Sequence, residues 1–237
     1  MSSLNEVLYD CWESVRSIIT DDDELDERRL AFWIKNQRAM LLRRELNKPY
    51  RIVDQRISQD LGSIPLQVTN IISIPNITIP ISKMVMSTTV LLPNTIEQYT
   101  KPSFTRIGSL DKVDRRFTYV DYTKAPYVGN GRLNTEEFFV FLIGRRLYVI
   151  SNKNNRKWKG LKYINIQGVF EDVEEAENLR HQLGNRSDEF SWDEYYPIGD
   201  WMIPILKEEL RKTDLRQFII PKDDTNDANA QPIEGGK

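Results

Sequence analysis

From Leu4 to Ile19 the apolar residues Leu4, Val7, Leu8, Cys11, Trp12, Val15, Ile18 and Ile19 recur at 3.6-residue spacing, which predicts an amphipathic helix. Ser3 and Glu6 have the spacing of a capping box at its start. The acidic run Asp21 to Asp23 is expected to end this helix and cap a second one. Leu25, Leu30, Trp33, Ile34, Leu41 and Leu42 give that second helix a broader apolar face, ending near Asn47 because Pro49 cannot continue it. So short a link makes the pair antiparallel. The second helix also sorts its charge: acids from Asp21 to Glu27 crowd its start, and Arg38, Arg43, Arg44 and Lys48 crowd its finish, as the helix dipole favours.

Beyond Tyr50 the pattern changes to short β-branched runs broken by proline. Strands are expected at Gln67–Ile74, Ile77–Ile81, Met84–Leu92 and Phe117–Tyr122, with Pro65, Pro75 and Pro80 keeping their neighbours at edges or kinks. Phe138–Ile143 and Leu147–Ser151 flank Gly144-Arg145-Arg146 and predict a hairpin, and Lys162–Phe170 alternates as a strand does. Glu171–Leu183 carries Val173, Ala176 and Leu179 at helical spacing, with Gly184 as its stop. A last helix is expected over about Asp200–Thr213, capped by Asp200, with Pro204 in its first turn and Ile203, Leu206 and Leu210 inward. The fold expected is α+β: a helical hairpin over 1–49, a sandwich- or barrel-like β-rich region over 50–195, and a helix within 196–220 packed on the hairpin. A polar tail, 221–237, has no periodic pattern and is expected to be flexible.

The 237 residues suffice for a real core, and 40% hydrophobic with 29% charged residues is ordinary globular composition. No apolar run approaches the roughly 18 residues that a membrane-spanning helix needs. No secretory signal is expected, because Met1 to Ser3 lead straight into a polar helix. The single cysteine excludes an intramolecular disulfide, so a reducing compartment is the default expectation.

A net charge of −2 argues against generic nucleic-acid binding, yet the charge is unevenly placed. Phe138–Phe170 holds seven basic residues (Arg145, Arg146, Lys153, Arg156, Lys157, Lys159, Lys162) and no acid. Glu171–Glu194 holds nine acids, among them Glu171, Asp172, Glu174, Glu175 and Glu177, against Arg180 and Arg186. Such blocks pair either within one subunit or between neighbours. Arg156-Lys157-Trp158-Lys159 interleaves an aromatic with cations, as single-strand binders do, although a solvated loop anchored by its tryptophan accounts for it more simply.

Catalytic chemistry is not indicated. His181 is the only histidine, with no cysteine partners for zinc, and Cys11 lies on an apolar helix face where a thiol packs as a small hydrophobe. The acids of 21–27 lack the spacing of a calcium loop. Gly129-Asn130-Gly131 has no following helix and is a turn, and no pair of carboxylates sits where a raised pKa is expected. No cofactor is implied.

Four stretches carry a resemblance: Phe32–Leu46, Asp54–Gly62, Gly168–Ala176 and Tyr196–Pro204 are similar to virion structural proteins of crAss-like bacteriophages. Val173 stands where that pattern has proline. The resemblance implies a head-to-tail connector ring below the portal, commonly of twelve copies. Its helices would dock on the portal, with Lys35, Arg38, Arg43 and Arg44 as candidates. Its β-rich part would contact neighbours or the next ring, and DNA would pass through the channel without sequence readout. It carries no catalytic residues and implies a virion location, with assembly in the host cytoplasm. The rival expectation is a nucleic-acid-binding accessory protein using 145–162, with salt-sensitive binding as its mark. An enzyme acting through carboxylates has no motif to support it.

Overall fold

The computed structural model describes residues 2–16, 26–48, 54–70, 74, 77–99, 101–110, 117–131 and 136–213. Its four helices are α1 (Leu4–Arg16), α2 (Glu27–Leu46), α3 (Val173–Gln182) and α4 (Met202–Lys212). The Ser3–Glu6 capping box forms: the Glu6 N–H donates to Ser3 Oγ at 3.1 Å and the Ser3 N–H to Glu6 Oε2 at 2.9 Å. The cap of α2 is Asp26, whose carboxylate accepts from the Arg28 N–H at 3.4 Å. Asp21–Asp23, expected to cap it, lie outside the described residues, as do Ile18, Ile19, Leu25 and the tail 221–237. Asp200 does not cap α4 either. Its carboxylate points to Arg56, 3.1 Å away, and the helix starts after Trp201 without a side-chain cap.

Leu4, Val7, Leu8 and Cys11 of α1, Leu30, Trp33, Ile34, Leu41 and Leu42 of α2, and Met202, Leu206 and Leu210 of α4 share one core. Gln37 of α2 donates to Thr213 at 3.0 Å, Arg211 donates to the Ser14 carbonyl at 2.6 Å, and Lys207 pairs with Asp10. The terminal helices therefore form one platform, as the sequence pattern implies.

The seven strands are β1 (Gln59–Val68), β2 (Lys83–Thr88), β3 (Phe104–Ser109), β4 (Thr118–Tyr119), β5 (Phe139–Ile143), β6 (Arg146–Asn152) and β7 (Tyr163–Gly168). They follow the order β3-β7-β1-β2-β6-β5-β4, antiparallel except for β4 with β5. The Phe117 N–H, just before β4, donates to the Ile107 carbonyl of β3 at 2.8 Å and nearly closes the sheet into a barrel.

Several expected strands move. Of the described residues in Gln67–Ile74, only Gln67 and Val68 are strand, as the end of β1; Ile77–Ile81 carries no strand, and Phe117–Tyr122 shrinks to the two residues of β4. The bulk of β1 crosses Gly62 and Pro65, both strand breakers by pattern. Gly62 sits at φ 76° in a bulge between Asp60 and Ser63, and Pro65, lacking a donor, offers only its carbonyl, to the Thr89 N–H at 3.1 Å. The β5–β6 hairpin forms as expected. Gly144 and Arg145 have φ of 52° and 67°, the two left-handed positions of a type I′ turn.

β6 is buried on both faces. Leu147 and Val149 point into the barrel core, while Tyr148 and Ile150 join Phe139, Phe141 and Val85 in an outer layer covered by Ile74, Ile79 and Ala125. The barrel interior is plugged from both ends. Trp158 and Leu161, on the connection from the end of β6 to the start of β7, enter it from one mouth; Ala176 and Leu179 of α3, which follows the other end of β7, enter it too.

Candidate docking and charge surfaces

The acidic block folds against α2 rather than against the basic block. Glu174 pairs with Lys35 and accepts from Trp192 Nε1 at 2.7 Å; Asp172 caps α3 and lies 4.0 Å from Lys35; Glu171 lies 3.4 Å from Arg43. Burial alone would raise the Glu174 carboxyl, but the hydrogen bonds from Lys35 and Trp192 outweigh it and hold the group below its ordinary range. Glu177 is buried at 8% exposure, bound by Arg180 at 2.7 Å, Arg186 at 2.9 Å and Gln59 at 3.1 Å. It is not available to a neighbour. Only Glu175 meets the basic block, through Arg145.

The basic block itself is divided. Arg145 and Arg146 sit at the β5–β6 turn, where Arg145 also donates to the Leu92 carbonyl at 2.7 Å. Lys153, Arg156, Lys157, Lys159 and Lys162 lie beyond the opposite end of β6, about 20 Å away by strand rise. All five are exposed. Trp158 between them is 3% exposed, its ring 6.1 Å from that of Phe138, so it anchors the loop and offers no surface for stacking a base. The hairpin region is therefore not one aromatic and basic nucleic-acid surface.

Of the candidate docking cations, Arg38 is misplaced. Its side chain is 0% exposed; Nε donates to the Pro197 carbonyl at 2.9 Å and Nη1 to the Phe170 carbonyl at 3.1 Å. Burial lowers its pKa from the ordinary arginine value. It joins the platform to the barrel and reaches no partner. Arg43 and Arg44 stay more than half exposed while pairing with Glu171 and with Glu209 at 3.7 Å.

What the charge pattern missed is apolar. Phe32 and Met40, two turns apart on α2, are 60% and 64% exposed and share with Asn36 and Arg43 an open groove of about 650 Å³ bordered by Glu171 and Glu175. The signal was present: Phe32 falls opposite the face carrying Leu30, Ile34 and Leu41, and Met40 falls outside that face.

Cys11 is core, its thiol pushed up to about 12 by burial, with the charge of Lys207 opposing. Among the described residues no three acidic, histidine or cysteine side chains gather as metal ligands, and no helix is long and apolar enough to cross a membrane. The acids Asp21–Glu24 are outside that set.

The profile of phage tail ring protein 2, a crAss-like phage family, matches residues 6–232 of the 237. The chain belongs to that family. No curated protein matches it. As a phage tail ring protein 2 it is a structural component of the virion, an oligomer assembled with other tail proteins, and family membership points away from an enzyme.

Proposed function

We propose that this ring protein is a non-enzymatic subunit of the head-to-tail connector beneath the portal, forming a closed ring of identical copies, twelve by the resemblance, around the genome channel. The observation that carries this reading is the exposed face of α2. Phe32 and Met40 stand in solvent on a helix whose other faces are fully used, flanked by Arg43 and Arg44. An exposed apolar pair rimmed by charge has the composition of a docking surface, and nothing in the subunit's own packing requires it.

Lys35, Arg43 and Arg44 border that face, with the portal or an adjacent tail ring protein as its partner. Arg145 and Arg146, at the same pole as α3, serve contacts between neighbouring subunits, together with the half-buried acids Glu171, Asp172 and Glu175. Closure into a ring follows when the two different patches of adjacent copies meet with a rotation that divides a full turn.

The test is co-expression of the subunit with its portal, followed by mass photometry and negative-stain imaging. A ring on the portal is expected. Phe32→Asp together with Met40→Asp should leave the fold intact and abolish co-purification. Neither ring nor portal binding by the unaltered protein would refute the proposal.

A further inference from the structure

We propose that the loop closing the distal mouth of the barrel, residues 153–162, binds the phosphate backbone of double-stranded DNA without reading sequence. The setting in which this matters, the genome channel, rests on the reading above; the binding itself does not.

Lys153, Arg156, Lys157, Lys159 and Lys162 fall within ten residues, all are exposed, and none has a carboxylate partner among the described residues. No other ten-residue stretch of the described residues gathers five cations without a carboxylate partner. Lys35, Arg43, Arg44, Arg56, Arg145, Arg180, Arg186, Lys207 and Lys212 are each paired with a carboxylate. Among the described residues, two acids border the loop: Glu136 and Glu137, whose backbone carbonyls accept from Asn155 Nδ2 at 3.1 Å and Ser151 Oγ at 2.9 Å. Counted against the five cations, they still leave an excess of three positive charges.

The loop holds these charges in a fixed arrangement. Trp158 and Leu161 are buried in the barrel core. Asn155 is 3% exposed; its amide oxygen accepts from the Lys157 N–H at 2.9 Å and its amide nitrogen donates to Ser151 Oγ at 2.8 Å. Tyr163, at the start of β7 next to Lys162, is 49% exposed and adds a hydroxyl donor.

Duplex backbone is the ligand this arrangement suits. A single-strand binder stacks bases on exposed aromatic faces, and Trp158, the aromatic between Lys157 and Lys159, is buried and offers none. The loop is a short 3₁₀ turn with no helix or ribbon to enter a major groove, so base edges are out of reach. An acidic protein surface is the other class. In the acidic block of a second copy Glu174 and Glu177 are engaged within their own subunit, while Asp188, Glu189 and Asp193 are exposed, so competition by polyglutamate is the arm that separates the two classes.

The experiment is fluorescence anisotropy of the full chain with a labelled random-sequence duplex of about 30 base pairs over about 20–200 mM salt. With three to five phosphates neutralised, log K should fall with log salt at a slope of about −3 to −4.5. Arg156→Glu, Lys157→Glu and Lys159→Glu together should weaken binding at least about tenfold and flatten the slope, because each lost phosphate contact removes about 0.9 from it. Lys153→Gln with Lys162→Gln, at the rims of the loop, gives a milder version should the triple variant fail to fold. Arg43→Glu with Arg44→Glu, on the platform, should bind as the unaltered chain does. The proposal is overturned by salt-insensitive or absent duplex binding, by loop variants that bind unchanged, by tighter binding to single strands, or by displacement with polyglutamate as effective as with DNA. Ring formation with the portal is scored separately: a ring that ignores DNA defeats this proposal alone, and DNA binding without a ring defeats only the connector reading.

Discussion

The Arg38 guanidinium carbon stands 5.3 Å from the centroid of the Tyr196 ring, and both side chains are fully buried where α2 meets the base of the barrel. The cation lies over an aromatic face while its N–H groups satisfy carbonyls at Pro197 and Phe170. Arginine is required because one planar fork reaches two chain segments at once.

Replacing Arg38 by Met leaves those buried carbonyls without donors, each costing about 1–3 kcal/mol. The expected loss of stability is about 3 kcal/mol, read from the urea midpoint. Tyr196→Phe should differ sharply. The Tyr196 hydroxyl is buried with no hydrogen-bond partner, so its removal should change stability by less than about 1 kcal/mol and keep the ring under the cation. Equal losses for both variants would mean that the hydroxyl has an unseen partner.

Glu174 makes the interface between α2 and α3 sensitive to acid. Its carboxyl is held below its ordinary range, so the folded state binds that proton less readily than the unfolded chain. The stabilisation is present above the unfolded value of about 4.3 and is lost as pH falls through the lower folded value. Urea midpoints taken between about pH 6 and pH 3 should drop more steeply for the unaltered chain than for Glu174→Gln. Parallel curves would count against the Lys35–Glu174–Trp192 contact.

Lys83 behaves in the opposite sense. It is 1% exposed, binds only neutral acceptors, the Val128 carbonyl and Asn130 Oδ1 at 2.5 Å, and burial lowers its pKa. The unfolded chain holds this proton more firmly, so stability should rise with pH from the lowered folded value up to about 10.4, the unfolded one. In Lys83→Met that rise should be missing. The variant should also loosen the loop carrying Val128, seen as faster hydrogen exchange at Lys124, Ala125 and Tyr127.

Elements whose burial is one-sided or complete were legible in the pattern. α1, α2 and α4 show a face, and β5 and β6 show an unbroken apolar run because both faces are covered. β1 was not legible, since Gly62 and Pro65 argue locally against a strand and only pairing with β7 and β2 sustains it. β3 (Phe104–Ser109) has too little alternation to stand out. Charge was legible as blocks, with pairing inside the subunit or between neighbours left open. Within the subunit, the chain reversal after β7 brings Glu171 and Glu174 to α2 rather than to 138–170, which sequence adjacency could not show. Arg38 looks like any surface arginine until the carbonyls around it are known.

The bulge in β1 yields a last prediction. Gly62 has φ 76°, a conformation that side chains rarely adopt, and a Cβ built there would lie 2.7 Å from Asn185 Cγ. Asn185 cannot retreat without cost, because its amide donates to the Leu61 and Ser63 carbonyls at 3.1 and 3.0 Å and so bridges the bulge. Asp60 completes the lock, accepting from the Gly62 N–H at 2.8 Å and from Asn165 at 2.7 Å. Gly62→Ala should therefore destabilise by about 2 kcal/mol or more, through strain at positive φ and loss of the Asn185 bridge together. Asn185→Ala alone should cost less, about 1–2 kcal/mol, since the backbone conformation remains available to glycine. In the double variant the clash is gone but the strain persists, so the total should fall short of the sum of the two single losses. Strict additivity in urea titrations would show that the two residues do not share the bulge.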